Sequence, residues 1–269
     1  MTSALFVLVL LVAAALLLGP VGNNLWKESK PATPLSIFRG AGIVRTLSNR
    51  TLLSIKTGQP VIYNRLPIQL LEPRPDIPHR NVYSDVAFRL GGHDVIDILA
   101  NSTQPYDGTD DARRYAQLQQ DWAKGVVSAP SHDFWKLDRY KFAPMTTHAW
   151  RSQPNMSWYV FADDDSFLFW STLVRWLDVS YAAPENESLY LGFDEYISVE
   201  QDTHFAHGGA GYVMSRRLME ILHQDDADGS RLSSDSHFSF YDCGDCSLGL
   251  YIGSLPGRKS THLDGGAEL

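Results

Sequence analysis

The sequence predicts an α/β fold: a single domain built on a mostly parallel mixed sheet flanked by helices. Three observations carry that expectation. Short apolar runs alternate along the chain with longer segments of helical spacing, the pattern of strands joined by crossover helices. One run, Trp158 to Ala162 in SWYVFADDD, is apolar at every position and fits a central strand covered on both faces. Hydrophobic residues make up 44% of the 269 and aromatics 12%, which supports a packed core and excludes a disordered chain.

The elements follow in order. Residues 4–18 (ALFVLVLLVAAALLL) form an apolar run inside an uncharged stretch that lasts until Lys27, so residues 1–26 read as a signal anchor or a cleaved signal. Residues 27–50 hold Pro31, Pro34 and glycines without clear periodicity and read as a stem. The domain is expected over residues 51–253, with an irregular tail over 254–269. Within it, LLSIK (52–56) and NVYSDV (81–86) read as strands, the three prolines of LLEPRPDIPH as a loop, and HDVIDIL (93–99) as a short helix. Residues 110–124 and 134–150 have helical spacing and composition. After the central strand, FLFWSTLVRWL puts Phe167, Trp170, Val174 and Leu177 at helical spacing, with Asp165 or Ser166 as cap. Tyr212 to Met214 read as a short strand and Ser215 as the cap of a helix.

Charge narrows the function. With 23 basic against 31 acidic side chains the net charge is −8, which excludes a nucleic-acid binder working through bulk charge. Lys27, Lys30 and Arg39 follow the apolar run, and by the positive-inside rule alone would leave the body in the cytosol. Four N-x-S/T sequons, at Asn49, Asn101, Asn155 and Asn186, argue instead for a lumenal, glycosylated body.

Three segments carry chemistry. Asp163-Asp164-Asp165 stands where the apolar strand runs out, and three carboxylates so close raise one another's pKa unless a cation sits among them. Oxygen donors select Mg²⁺, Mn²⁺ or Ca²⁺, and positions left over suit a diphosphate. The alternative is a solvated acidic turn with Asp165 as an N-cap; a structural Ca²⁺ site lacks an EF-hand pattern. Next, His207-Gly-Gly-Ala-Gly211 puts three glycines in four positions, which lets backbone approach a ligand or take positive φ. Last, Cys243-Gly-Asp245-Cys246 holds the chain's only cysteines. It suits a thiol redox pair, half of a zinc site without a second half, or a carboxylate base among small residues.

Together and in this order, WYVFADDDSFLFW, FAHGGAGYVMS and CGDCSLG resemble the Fringe-like β-1,3-glycosyltransferases (glycosyltransferase family 31), nearest the core 1 β-1,3-galactosyltransferase branch, with weaker support from IKTG, VYSD and KFAPM. The resemblance covers residues 52–252. It implies a GT-A fold and an inverting hexosyl transfer from a UDP-sugar to a hydroxyl of a glycan or glycoprotein, β-1,3 linked, with Mn²⁺ or Mg²⁺ as cofactor. It also implies a single-pass type II protein of the Golgi or endoplasmic reticulum, or a secreted one. By the same resemblance Asp165 ligates the metal directly, Asp163 ligates it or acts through water and the ribose, and Asp245 is the base. Asp164, Thr57, Asp85 and Lys141 lie at the donor, and Gly208, Gly209 and Gly211 line the donor sugar and acceptor cleft. The family's C-terminal strand supplies a histidine to the metal; here His262 is the only candidate, and the glycines and proline around it argue against that role. The short stretch after Gly249 implies truncation. This keeps a second reading open, an inactive relative acting as a binding or chaperone-like subunit, while a thiol oxidoreductase ranks third.

Overall fold

The structure, a computed structural model, describes residues 42–70, 76–100, 109–181, 183–198, 203–225 and 243–255. The apolar run at 4–18, most of the expected stem, Asn101, His262 and the rest of the tail beyond residue 255 lie outside them. Among the described residues no helix is long and apolar enough to cross a membrane. Contacts divide the chain into Met1–Gly42 and Ile43–Leu269, and the fold below is that of the second unit.

The strands are β1 (Thr51–Lys56), β2 (Arg80–Ser84), β3 (Phe88–Leu90), β4 (His93–Asp97), β5 (Trp158–Asp163), β6 (Tyr190–Gly192), β7 (Asp194–Ser198), β8 (Thr203–Ala206) and β9 (Tyr212–Ser215). Seven of them form one sheet in the order β3-β4-β2-β1-β5-β9-β6; β7 and β8 pair separately. Strands β4, β2, β1 and β5 run parallel, while β3, β9 and β6 join antiparallel. The chain leaves β1 toward β2 on one side and later returns to pair β5 on the other. That reversal of strand order opens a crevice at the C-terminal ends of β1 and β5, the place where open α/β sheets bind ligands.

The helices are α1 (Ile62–Leu70), α2 (Asp110–Ala123), α3 (His132–Trp135), α4 (Phe142–Ser152), α5 (Trp170–Ser180), α6 (Arg216–Asp225) and α7 (Gly244–Ser254). They cover both faces of the sheet, and β5 shows why its sequence is apolar throughout. Trp158, Val160 and Ala162 pack with Ile62 and Leu66 of α1 and Leu173 and Leu177 of α5. Tyr159 and Phe161 point the other way, toward Met145 of α4, Leu218 of α6 and Leu248 of α7. Each fully buried side chain of this size contributes about 1.5–3 kcal/mol of hydrophobic stabilisation.

Four local expectations change. Residues 93–97 form strand β4, not a helix: a segment this short gains little as an isolated helix, whereas the β-branched Val95 and Ile96 complete the ladder beside β2 through Val82↔Val95. The expected helix over 134–150 is broken, with a 3-10 helix at Lys136–Lys141 between α3 and α4. The helix after the aspartates starts only at Trp170, and neither Asp165 nor Ser166 caps it; the N-cap position is Phe169, without a side-chain bond. Finally, residues 43–48 are helical and belong to the folded unit, so the stem ends earlier than residue 50. Val44 is buried there, and Ser48 Oγ accepts a 2.8 Å bond from the buried Trp170 indole. Ser215 does cap α6, its hydroxyl accepting from Leu218 N.

Candidate active site

The three parallel strands β1, β2 and β5 end side by side, and each delivers a charged or polar residue to the same place. Lys56 of β1 stands in register with Asp163 of β5 and with Tyr83 of β2. Thr57, Asp85 and Asp164 follow directly after these strands. They border a cleft of about 520 Å³ that Arg65 of α1, Phe134 and Trp135 of α3, Asp138, Asp163 and Asp165 also line.

Beneath the cleft lies an ion-pair network. Lys56 Nζ is 3.1 Å from both Asp138 and Asp163, and Lys141 Nζ is 2.6 Å from Asp138 and 2.9 Å from Asp85. The 3-10 turn explains how Asp138 meets Lys141, because side chains three apart eclipse in that helix. Burial alone would lower the pKa of both lysines, but Asp138 with Asp163 raises that of Lys56, and Asp138 with Asp85 raises that of Lys141. Burial works to raise Asp138, and Lys141 and Lys56 overcome it, holding its carboxyl at about 2. The resemblance puts Asp85 and Lys141 near the nucleotide, as surface charges would lie. Instead both are buried, at 1% and 0% exposure, with Lys141 also donating to the Thr57 carbonyl at 2.8 Å. Asp85 reaches the cleft wall, whereas Lys141 sits under its floor.

The three aspartates divide the work. Asp164 turns inward, accepting a 2.5 Å bond from the Thr57 hydroxyl, and burial pushes its pKa up to about 6 against the pull of that bond and of Arg65. Asp163 and Asp165 keep side-chain exposures of 25% and 51%. Burial also raises Asp163, with Lys56 opposing. Arg65 lies 2.9 Å from Asp165 and 3.6 Å from Asp164. Two partly exposed carboxylates two residues apart, with the intervening one satisfied internally, offer the oxygen donors that a hard divalent cation takes. The residues present therefore fit Mn²⁺ or Mg²⁺ with two protein side chains. Among the described residues the one tight group of three potential ligand side chains is Cys243, Asp245 and Cys246, and its two sulfurs are joined to each other.

Asp245 occupies the first turn of α7. Its carboxylate accepts from Gly208 N at 2.8 Å and from Cys246 N at 3.0 Å, which fixes its direction. The Cys243–Cys246 disulfide and the bond from Ser247 Oγ to Cys243 O close the turn that carries it. Gly208 must be small, because an added Cβ would come within 2.9 Å of the Phe142 ring, and Gly211 takes φ +83. Gly209 offers its carbonyl to Ser166 Oγ at 2.6 Å, tying the glycine turn to the loop after Asp165. Phe142 joins the two halves of the site: Lys56 Nζ lies 5.2 Å from its ring centroid, and Gly208 and Gly244 pack against its edge. Tyr212 reports the same proximity, since burial raises its hydroxyl's pKa and the charges of Asp163 and Asp245 both add to that rise.

The fold, the strand-end aspartates and the glycine turn facing Asp245 are now joined by one comparison. The profile of the Fringe-like family matches residues 106–265, more than half of the chain. The chain belongs to the Fringe-like family. Its mixed seven-stranded sheet with helices on both faces is the GT-A type of α/β domain, and the family is one of glycosyltransferases, which take a donor and an acceptor. No curated protein matches the sequence.

Within this Fringe-like domain, sequence reasoning missed Lys56, Asp138, Arg65 and Phe142. Lys56 left a signal: a lysine closing a wholly buried strand demands an internal partner. Asp138 stands three residues before Lys141. Arg65 left none, because nothing in an amphipathic helix tells which exposed arginine faces a cleft.

Proposed function

We propose that this Fringe-like protein is an inverting glycosyltransferase that moves a hexose or N-acetylhexosamine from a UDP-sugar to a hydroxyl of a glycan or glycoprotein, in β-1,3 linkage. One observation carries the reading: Asp163 and Asp165 stand partly exposed at the strand-order reversal, with the Asp245 carboxylate held by the glycine turn through Gly208 N.

In this reading Asp163 and Asp165 hold Mn²⁺ or Mg²⁺, and a divalent cation there supplies positive charge to the donor diphosphate as UDP departs. Lys56 keeps Asp163 in place from below, and Thr57 fixes the chain direction through Asp164. Asp245 takes the proton of the acceptor hydroxyl as that oxygen attacks the anomeric carbon from the face opposite UDP. One displacement needs one base, and the configuration inverts. Gly208 N–H orients the base, and the glycine turn, exposed at Gly209, borders the sugars.

The same reading places the body in the lumen of the secretory pathway, anchored by residues 4–18. Its support is the exposure of Asn49, Asn155 and Asn186, and a disulfide suited to an oxidising compartment. The enzymatic test is UDP release from a panel of UDP-hexoses, with aryl glycosides as acceptor probes and Mn²⁺ present. Asp245→Asn should keep UDP binding and lose turnover by about 10²-fold or more, the scale of a lost general base. Asp165→Ala should lose both. Undiminished turnover in Asp245→Asn would remove Asp245 from the mechanism.

A further inference from the structure

We propose that Arg65 is a transferable counter-ion of the donor site: it neutralises Asp165 when no cation is bound and turns to the donor diphosphate once a divalent cation takes that carboxylate. The proposal rests on the nucleotide-sugar reading and assigns a residue that reading does not need. Among the residues that line the cleft, the basic ones are Lys56 and Arg65. Lys56 is 7% exposed and held between Asp138 and Asp163, so it is not available to a ligand. Arg65 is different. Its side chain is 45% exposed, it extends from α1 along the cleft wall, and its Nη1 lies 2.9 Å from Asp165.

Its second contact does not hold it there. Asp164 lies farther, at 3.6 Å, and already has the Thr57 hydroxyl at 2.5 Å. A dication outcompetes one guanidinium for Asp165, and a planar guanidinium fork freed in this way matches phosphate oxygens bidentately. Charge supports the exchange. Asp85, Asp138, Asp163, Asp164 and Asp165 are paired with Lys56, Lys141 and Arg65, so a dication matches the two negative charges left over and releases Arg65 from Asp165. A diphosphate arriving with it brings new negative charge, which the released Arg65 meets. Metal and nucleotide therefore bind cooperatively, and by linkage each raises the other's affinity by the same factor.

The test measures Mn²⁺ affinity without nucleotide by electron paramagnetic resonance and UDP affinity at saturating Mn²⁺ by calorimetry, on the whole folded domain. Arg65→Gln should bind Mn²⁺ alone about threefold more tightly, the scale of a lost partly exposed ion pair. Its UDP affinity should fall about tenfold, the scale of one lost charge-assisted contact. Arg65→Lys keeps the charge without the fork, and should leave Mn²⁺ binding unchanged while weakening UDP about threefold. A thermal melt checks that both variants are folded. Wild-type UDP binding with unchanged Mn²⁺ and UDP affinities in both variants overturns the role of Arg65 and leaves the donor reading standing. No UDP binding by the wild type with Mn²⁺ overturns both.

Discussion

Replacing Asp138 with asparagine removes the carboxylate that two buried lysines share. Lys56 and Lys141 approach it at 3.1 and 2.6 Å, and with Asp163 and Asp85 it keeps both charged beneath the cleft. The fall of its pKa from 3.8 to about 2 corresponds to roughly 2 kcal/mol at about 1.4 kcal/mol per pH unit. Removing one partner of a buried pair costs about 3–5 kcal/mol in measured cases, and here Asp163 and Asp85 keep part of the lysines' compensation. Asp138→Asn should therefore destabilise the domain by about 2–4 kcal/mol at pH 7. The pH dependence has a definite sign: the folded pKa is depressed, so the stabilisation is complete above the unfolded value near 4 and is lost as pH falls toward 2. The assay is urea denaturation of wild type and variant at pH 7, 4 and 3. The gap should be nearly the same at pH 7 and 4 and about halved at pH 3. A gap below about 0.5 kcal/mol at pH 7, typical of an exposed ion pair, would refute the network.

Other perturbations separate the parts of the site. Thr57→Val leaves buried Asp164 without its 2.5 Å hydrogen bond and should cost about 1–3 kcal/mol, read as a fall in thermal midpoint; an unchanged midpoint contradicts the inward placement of Asp164. Gly208→Ala forces a Cβ to within 2.9 Å of the Phe142 ring and disturbs the N–H that orients Asp245. Its turnover should fall about 10-fold or more with UDP affinity preserved, and equal losses in both would place Gly208 at the donor instead. Cys243→Ser opens the disulfide around Asp245 and should reduce turnover in part while sparing UDP binding. If it abolishes activity while Asp163→Ala and Asp165→Ala are tolerated, thiol chemistry replaces glycosyl transfer.

How much of this was legible in the sequence depended on how local each cause is. The apolar run of β5 announced a central strand, and the carboxylates after it announced a strand-end site, because burial on both faces is written into consecutive residues. β4 was misread as a helix because seven residues carry too little periodicity, and its conformation is decided by the free edge of β2. The late start of α5 is similar: Leu168 turns into the core while Phe167 and Phe169 stay 60% and 66% exposed, and local spacing does not predict that turn. Asp85 and Lys141 were found, but their burial was not, since only the 3-10 break before α4 brings Asp138 into range of both lysines. Arg65 became a candidate only once α1 was seen along the cleft wall.

The most direct test of the account is UDP binding to residues 27–269 by calorimetry with Mn²⁺, with EDTA, and with Asp165→Ala. The account predicts binding that requires both the metal and Asp165. A folded protein that binds UDP equally well in EDTA, or fails to bind it under every condition, would contradict the nucleotide-sugar site.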